Sequence, residues 1–378
     1  MNTPIYIDYN ATAPIRENVI TVVADTMRIY GNPSSVHAAG RKARGIVEEA
    51  RAKVAALVAA RTRDVTFCSG GTEANNAVIK GSGSASVIVS AIEHDSGLAA
   101  AKQANIPCFV APVDENGVID LEKLQLILAD APKPALVSVM LVNNETGVIQ
   151  PVAETAALTH EYGGRMHTDA VQAAGKLTIN FGELGVDYLT LSSHKIGGPQ
   201  GVGAIVTSST APLRPMIVGG GQELGRRSGT ENVAGIAGFG VAAIETLEET
   251  GNAEFLSGLR DRFEEAVAAL NSDAIIVGAN AARVANTSCV AMPGVRGETQ
   301  TMHFDLKGIC LSSGSACSSG KVKVSHVLSA MGFDDGVAEA SIRVSLGRLT
   351  KESDIDALID AWTELYKRTA KRQDNRSS

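Results

Sequence analysis

With 378 residues, 44% of them apolar and 20% charged, the chain can fill two or three domain-sized cores and is not a disordered polymer. Its 34 Lys and Arg against 41 Asp and Glu leave a formal charge of −7, and aromatic residues make up only 4%. Direct binding to nucleic acid is therefore not expected, because neither a basic field nor a set of stacking platforms is present.

In chain order, Ala, Arg, Lys and Glu at helical spacing predict a helix over 38–60. Apolar, β-rich runs follow at 65–69, 87–90, 136–142, 166–168, 188–192 and 203–206, each near-continuously apolar, as in a sheet covered on both faces. Repeated strand–helix alternation predicts an α/β fold with a mostly parallel, doubly wound sheet. After a helix-rich stretch at 252–270 the rhythm changes. Strands at 275–277 and 287–292, a Gly/Ser-rich loop at 312–320 and a helix from Glu352 read as a smaller α+β domain, with a polar, frayed tail from Lys371.

Five cysteines (68, 108, 289, 310 and 317) form no Cys-x-x-Cys pair and no Cys/His metal spacing, which argues against a disulfide framework and a bound metal. The N-terminus lacks a basic region followed by an apolar run. The longest nearly apolar stretch, 233–244, is too short to cross a bilayer and holds three glycines. A soluble, cytoplasmic protein without membrane contact is the expectation.

Several chemistry-bearing residues close predicted strands, where doubly wound sheets place their ligands. His94 ends Ala91-Ile92-Glu93-His94, and Asp169 ends Met166-His167-Thr168-Asp169. Lys195 follows Leu191-Ser192-Ser193-His194, 26 residues after Asp169. A partly desolvated lysine can form a Schiff base, and a nearby carboxylate is what a pyridinium nitrogen needs as a partner. Gln172, a helical turn beyond Asp169, is placed to hydrogen-bond a ring substituent. Each residue also has an ordinary reading: a surface lysine, a helix-capping aspartate, a structural histidine.

The run Ser69-Gly70-Gly71-Thr72-Glu73-Ala74-Asn75-Asn76 follows a strand and opens a helix, so small residues and free N–H groups there suit an anion. It has neither Walker nor dinucleotide spacing, and an ordinary strand–helix turn with Thr72 near the cap reads equally well. Cys317 lies in Ser312-Ser313-Gly314-Ser315-Ala316-Cys317-Ser318-Ser319-Gly320, a composition that reads as an exposed, moving loop suited to nucleophilic sulfur chemistry, or as a bystander. Cys310, between Ile309 and Leu311, reads as a buried structural cysteine.

Together these motifs resemble the cysteine desulfurases of the NifS/IscS type, a branch of the class V, fold-type I pyridoxal-phosphate enzymes. The resemblance covers nearly the whole chain. It runs through Ile7-Asp8-Tyr9-Asn10-Ala11-Thr12-Ala13-Pro14, Gly31-Asn32-Pro33-Ser34-Ser35-Val36-His37, residues 69–76, Asn143-Asn144-Glu145-Thr146-Gly147, 167–172 and 192–195. It continues through Gly219-Gly220-Gly221-Gln222-Glu223, Arg227-Ser228-Gly229-Thr230-Glu231-Asn232, 313–317 and Ile342-Arg343-Val344-Ser345-Leu346-Gly347-Arg348. The Ser-Gly-Ser-Ala-Cys loop separates this branch from the SufS type.

The resemblance implies a large pyridoxal-phosphate domain over 13–255 and a small domain of 1–12 and 256–378 that carries the Cys317 loop. Lys195 would hold pyridoxal 5′-phosphate and then shuttle protons. Asp169 would pair with the pyridine nitrogen, Gln172 with the ring oxygen, and His94 would stack on the ring and assist protonation as a catalytic residue. Gly71, Thr72, Ser192 and His194 would hold the phosphate, joined by Thr230 across a homodimer. Asn144 and Arg343 would bind the carboxylate of L-cysteine, whose sulfur passes to Cys317 as a persulfide, leaving L-alanine. The acceptor beyond would be a protein such as an iron–sulfur scaffold, or a tRNA-thiolation route, with Cys317 a candidate transient cluster ligand. Tyr9, Ala13 and Met302-His303 depart from the family pattern. A selenocysteine lyase or aminotransferase of the same class would share Lys195 and Asp169 without needing Cys317, and a non-catalytic sulfur carrier would need no cofactor.

Overall fold

The computed structural model describes residues 4–249, 252–314 and 324–377, with side chains to residue 369. The chain enters on β1 (Ile5–Tyr6) and then builds a seven-stranded sheet from β2 (Val65–Cys68), β3 (Ser86–Ser90), β4 (Cys108–Ala111), β5 (Ala135–Ser138), β6 (Arg165–Asp169), β7 (Tyr188–Ser192) and β8 (Gly203–Thr207). Their order across the sheet is β2-β8-β7-β6-β5-β3-β4. All are parallel except β8, which runs antiparallel to both its neighbours. Every residue of β2, β3, β5, β7 and β8 is buried, which is why these strands read as unbroken apolar runs.

Several elements differ from the sequence reading. β4 is an edge strand with two exposed positions, so its composition carries no burial signal. β5 stops at Ser138 rather than at 142, because the backbone N–H of Met140 is taken by the Glu93 carboxyl at 2.6 Å instead of by a ladder. The helix predicted over 38–60 is Ala38–Leu57, and the chain leaves it through Ala59 at φ 50°.

After the helices Val233–Glu248 and Asn252–Leu270 come β9 (Ile275–Ile276), β10 (Thr287–Ala291), β11 (Ile309–Cys310), β12 (Ser312–Ser313) and β13 (Ser341–Ser345). β12-β13-β10-β9 form an antiparallel sheet, and β11 pairs in parallel with β1. A separate apolar cluster fills this part, built on Phe263, Phe304, Ile342, Val344 and Trp362, with Phe263 edge-on to Trp362 at 5.9 Å. Cys310, expected in a core, is only half-buried, since its two-residue strand is paired on one side. The closing helix Glu352–Ser377 continues through the tail that its polarity marks as frayed; Lys, Arg and Gln there are good helix formers. Among the described residues no helix is long and apolar enough to cross a membrane.

Candidate active site

The carboxyl ends of the large sheet bring the sequence-predicted residues together. Asp169 is the last residue of β6, and Ser192 the last of β7. A short 3-10 turn, Ser193–Ile196, carries His194 and Lys195 from there. His94 follows β3 and caps the helix Asp95–Lys102, its Nδ1 accepting from Ser96 N at 3.1 Å. In the neutral ring the hydrogen is therefore on Nε2. Burial lowers the His94 pKa, with Asp169 opposing the shift and Lys195 adding to it.

Asp169 is buried and held on both oxygens. Oδ1 accepts from Val171 N at 2.9 Å and Oδ2 from Asn75 Nδ2 at 2.7 Å. Asn75 is itself fixed by Thr190 Oγ1, which donates to its Oδ1 at 2.7 Å. Behind them His167 is fully buried, Nδ1 on Ser138 Oγ at 2.9 Å, and burial brings its pKa to about 4.

The helix Gly71–Gly81 starts beside Ser192. Gly70 (φ 146°) is its N-cap, and no side chain bonds its first N–H groups. This approach depends on glycine in β8: a Cβ at Gly203 would stand 2.6 Å from Gly70 Cα. A Cβ at Gly71 would meet Val171 Cγ2 at 3.1 Å. His194 Nδ1 lies 3.1 Å from Thr12 Oγ1, and burial followed by the Lys195 charge brings His194 to a pKa of about 4. It is a neutral ring at pH 7.

Lys195 Nζ donates to the carbonyls of Asn10 at 2.5 Å and Ala11 at 2.8 Å. Gln172 Nε2 donates to that same Asn10 carbonyl at 2.9 Å. Asn10 in turn reaches the small sheet, donating from Nδ2 to Asn144 O at 3.1 Å and to Thr287 Oγ1 at 3.0 Å. Arg343, in the middle of β13 and 2% exposed, donates from NH1 to that Asn144 carbonyl at 3.2 Å. Its NH2 pairs with Asp8 Oδ1 at 2.7 Å, and Ser312 Oγ holds the other Asp8 oxygen at 2.8 Å. Arg343 Nε is buried and has no acceptor among the described residues. The Lys195 amine, the Asp8 carboxylate and the Arg343 guanidinium thus belong to one hydrogen-bonded cluster where the two sheets meet, while Asp169 sits in its own set with Asn75 and Val171.

One predicted residue among those described stands apart from these neighbourhoods. Thr230 is exposed on the loop before the helix Val233–Glu248. Cys317 lies outside the described residues. The chain on either side of it is anchored beside the cluster: Ser312 pairs with Arg343 across β12 and β13, and Ser325 Oγ donates to the buried Glu145 carboxylate at 2.6 Å. Sequence reasoning gave no role to Asn10, Asn75, Lys176 or Asp8. Asp8, Asn10 and Asn75 lie within motifs that carry the family resemblance, and Lys176 had no signal.

Residues 5–358 match the Aminotransferase class-V family. A cysteine desulfurase IscS of Dictyoglomus turgidum is 38% identical over 97% of this chain and 96% of that protein. A cysteine desulfurase of Cereibacter sphaeroides is 39% identical over 94% of each. Among solved structures, a NifS-like protein from Rickettsia africae superposes with a TM-score of 0.89 at 38% identity, covering 96% of this chain and 99% of that one. A protein described as SspA in complex with cysteine aligns at a TM-score of 0.78 and 28% identity, over 90% and 98% of the two chains. A fold-type I architecture and these near-full-length likenesses agree: the chain belongs to the class-V aminotransferase family and, within it, to the cysteine desulfurases of the NifS/IscS type.

Proposed function

We propose that the chain uses pyridoxal 5′-phosphate to convert L-cysteine to L-alanine and carries the sulfur away as a persulfide on Cys317. The observation that carries this reading is the Arg343 guanidinium, buried with an uncommitted Nε and tied through Asn144 and Asn10 to the Lys195 amine. A buried donor without an acceptor is costly unless a ligand supplies one, and a carboxylate matches that planar fork. The solved relative bound to cysteine supports the same substrate class.

The residues present fit the cofactor. The uncapped N-terminus of the helix Gly71–Gly81, with Gly71, Thr72, Ser192 and His194 around it, suits a phosphate ester. Asp169, immobilised by Asn75 and Val171, suits a ring-nitrogen cation. Gln172 Nε2 suits the ring oxygen, and neutral His94 suits the ring face. When bound, pyridoxal phosphate supplies an electron sink for the pair left as the substrate loses its Cα proton. Lys195 would hold the cofactor through its amine and would be the group that moves the Cα proton of the substrate. Arg343 and Asn144 orient the substrate carboxylate. The Cys317 thiolate bonds to the substrate sulfur while the carbon–sulfur bond breaks, and the remaining carbons gain protons and leave as L-alanine.

The division into a cofactor-carrying part, 13–255, and a smaller part, 1–12 with 256–378, is supported by the separate apolar clusters on the two sheets. A homodimer that brings Thr230 to the other subunit's phosphate is supported by exposed Met27, Tyr30, Val36, Val218 and Leu224 on the surface segments 27–36 and 218–224. The onward acceptor is a protein of iron–sulfur assembly or of tRNA thiolation, in the cytoplasm. The test is mass spectrometry after incubation with L-cysteine. A gain of about 32 Da, one sulfur atom, is expected on Cys317 and on no other cysteine. Cys317→Ser should abolish sulfide release; undiminished release would leave a lyase or aminotransferase without a persulfide. No absorbance near roughly 390–420 nm after adding pyridoxal phosphate would leave a sulfur carrier.

A further inference from the structure

A second lysine sits in the cluster. Lys176 Nζ donates to Gln172 Oε1 at 2.7 Å and to Asn10 Oδ1 at 2.6 Å. An ammonium only donates and a backbone carbonyl only accepts. With Lys176 on Gln172 Oε1 and the Asn10 carbonyl on Gln172 Nε2, the Gln172 carboxamide has one orientation. The same Asn10 carries the carbonyl on which Lys195 rests. Lys176, Gln172, Asn10 and Lys195 are therefore joined by one run of hydrogen bonds, although positions 10 and 176 are 166 residues apart.

We propose that Lys176 is a positioning residue for the cofactor site: acting through Asn10 and Gln172, it fixes the Gln172 amide with its donor toward the ring and holds the carbonyl that seats the Lys195 amine. It also places a second amine beside Lys195, and in its ammonium form it repels the Lys195 charge. Burial first, then Lys195 and Arg343, lowers the Lys176 pKa well below the usual lysine range. Charged or titratable groups acting on the pair include His94 and His194 near Lys195, and Arg343 near Lys176. A cavity of about 510 Å³ lined by Lys176, Lys195, Tyr9 and Arg348 lies against the amine and leaves room for a longer side chain.

This inference rests on the cofactor reading above, and the experiment separates the two. Apoprotein of the wild type, Lys176→Met, Lys176→Arg, Gln172→Ala and the Met/Ala double variant is titrated with pyridoxal phosphate. The dissociation constant and the pH midpoint of the visible band are both read. Lys176→Met should bind about tenfold more weakly, the effect of roughly one lost charge-assisted hydrogen bond. Its band midpoint should rise by about one pH unit as the neighbouring cation is removed. Lys176→Arg should restore both readouts, and the double variant should be no weaker than the worse single one, because both act through one amide. A Lys176→Met protein matching the wild type in both readouts overturns the proposal, as does an Arg variant as impaired as the Met variant, or fully additive losses. Lys176→Gln is measured alongside, so that a folding failure of the Met variant still leaves the charge tested. Wild-type protein that takes up no pyridoxal phosphate overturns the function reading itself.

Discussion

Arg343→Lys tests the proposal that the Arg343 fork takes the substrate carboxylate. In the structure one guanidinium nitrogen serves Asn144 O, one serves Asp8, and Nε is left over, all at a position 2% exposed. A lysine keeps the charge but brings a single nitrogen, which Asp8 will claim. The substrate carboxylate then loses one to two charge-assisted hydrogen bonds, each about 1.5–3 kcal/mol. A loss of about 3 kcal/mol is roughly a hundredfold in kcat/KM. The carboxylate does not change during the reaction, so this is uniform binding and should fall mainly on KM. The assay is steady-state sulfide release from L-cysteine and from cysteamine, which lacks the carboxylate. Wild type should prefer L-cysteine strongly, and Arg343→Lys should lose most of that preference while hardly changing with cysteamine. A KM for L-cysteine within threefold of wild type, or equal use of both substrates by wild type, would refute the assignment of Arg343.

Two stability predictions follow from buried charge. Arg51 grips Glu223 with two bonds of 2.6 and 2.9 Å, Glu223 also takes Phe67 N at 2.8 Å, and both side chains are buried. Glu223→Ala strands the guanidinium, so the denaturation midpoint should show a loss of about 3–5 kcal/mol, and a loss below about 1 kcal/mol would mean that Glu48 or water compensates. His167, with a folded pKa of about 4 against an unfolded value near 6.5, is held neutral by burial. Protons therefore favour the unfolded chain: its contribution is complete above about pH 6.5 and shrinks as pH falls toward 4. Between pH 7 and 5 the loss is about 2 kcal/mol. His167→Asn should remove that much from the pH 7-to-5 difference in unfolding free energy; an unchanged difference would show that the ring is already protonated or does not titrate.

What could be read from the sequence follows burial. Tyr188–Ser192 and Gly203–Thr207 are covered on both faces, so their apolar runs, and the polar residues that end them, stood out. Asp169 and Lys195 were visible for that reason. Cys317 was visible through composition alone. β4, at the sheet edge, was not visible because half its positions need not be apolar. The roles of Asn10 and Lys176 were not visible either, because the bonds that join Asn10 to Gln172, Lys176 and Lys195 span 162 to 185 residues, and no local period records such partners.

Those long-range bonds also explain why the first residues belong to the active site at all. The segment from Ile5 to Arg16 runs along the seam between the sheets and bonds to each. On the small side β1 pairs with β11, and Tyr9 N and Ser345 O, then Ser345 N and Ile7 O, continue the pairing. On the large side Ala13 N donates to His194 O at 2.9 Å and Arg16 N to Gly197 O at 3.0 Å, bracketing Lys195. Between these anchorages stand Asp8, on Arg343, and Asn10, on Lys195, Gln172 and Lys176. A reaction that needs a carboxylate gripped from one sheet and a proton moved from the other requires those two groups at a fixed separation. Neither sheet can set that separation alone. The twelve residues from Ile5 to Arg16 contribute to it through backbone bonds to both sheets, beside direct bonds such as Arg343 to Asn144 O, so a segment that carries none of the reacting groups helps set the reach between Lys195 and Arg343.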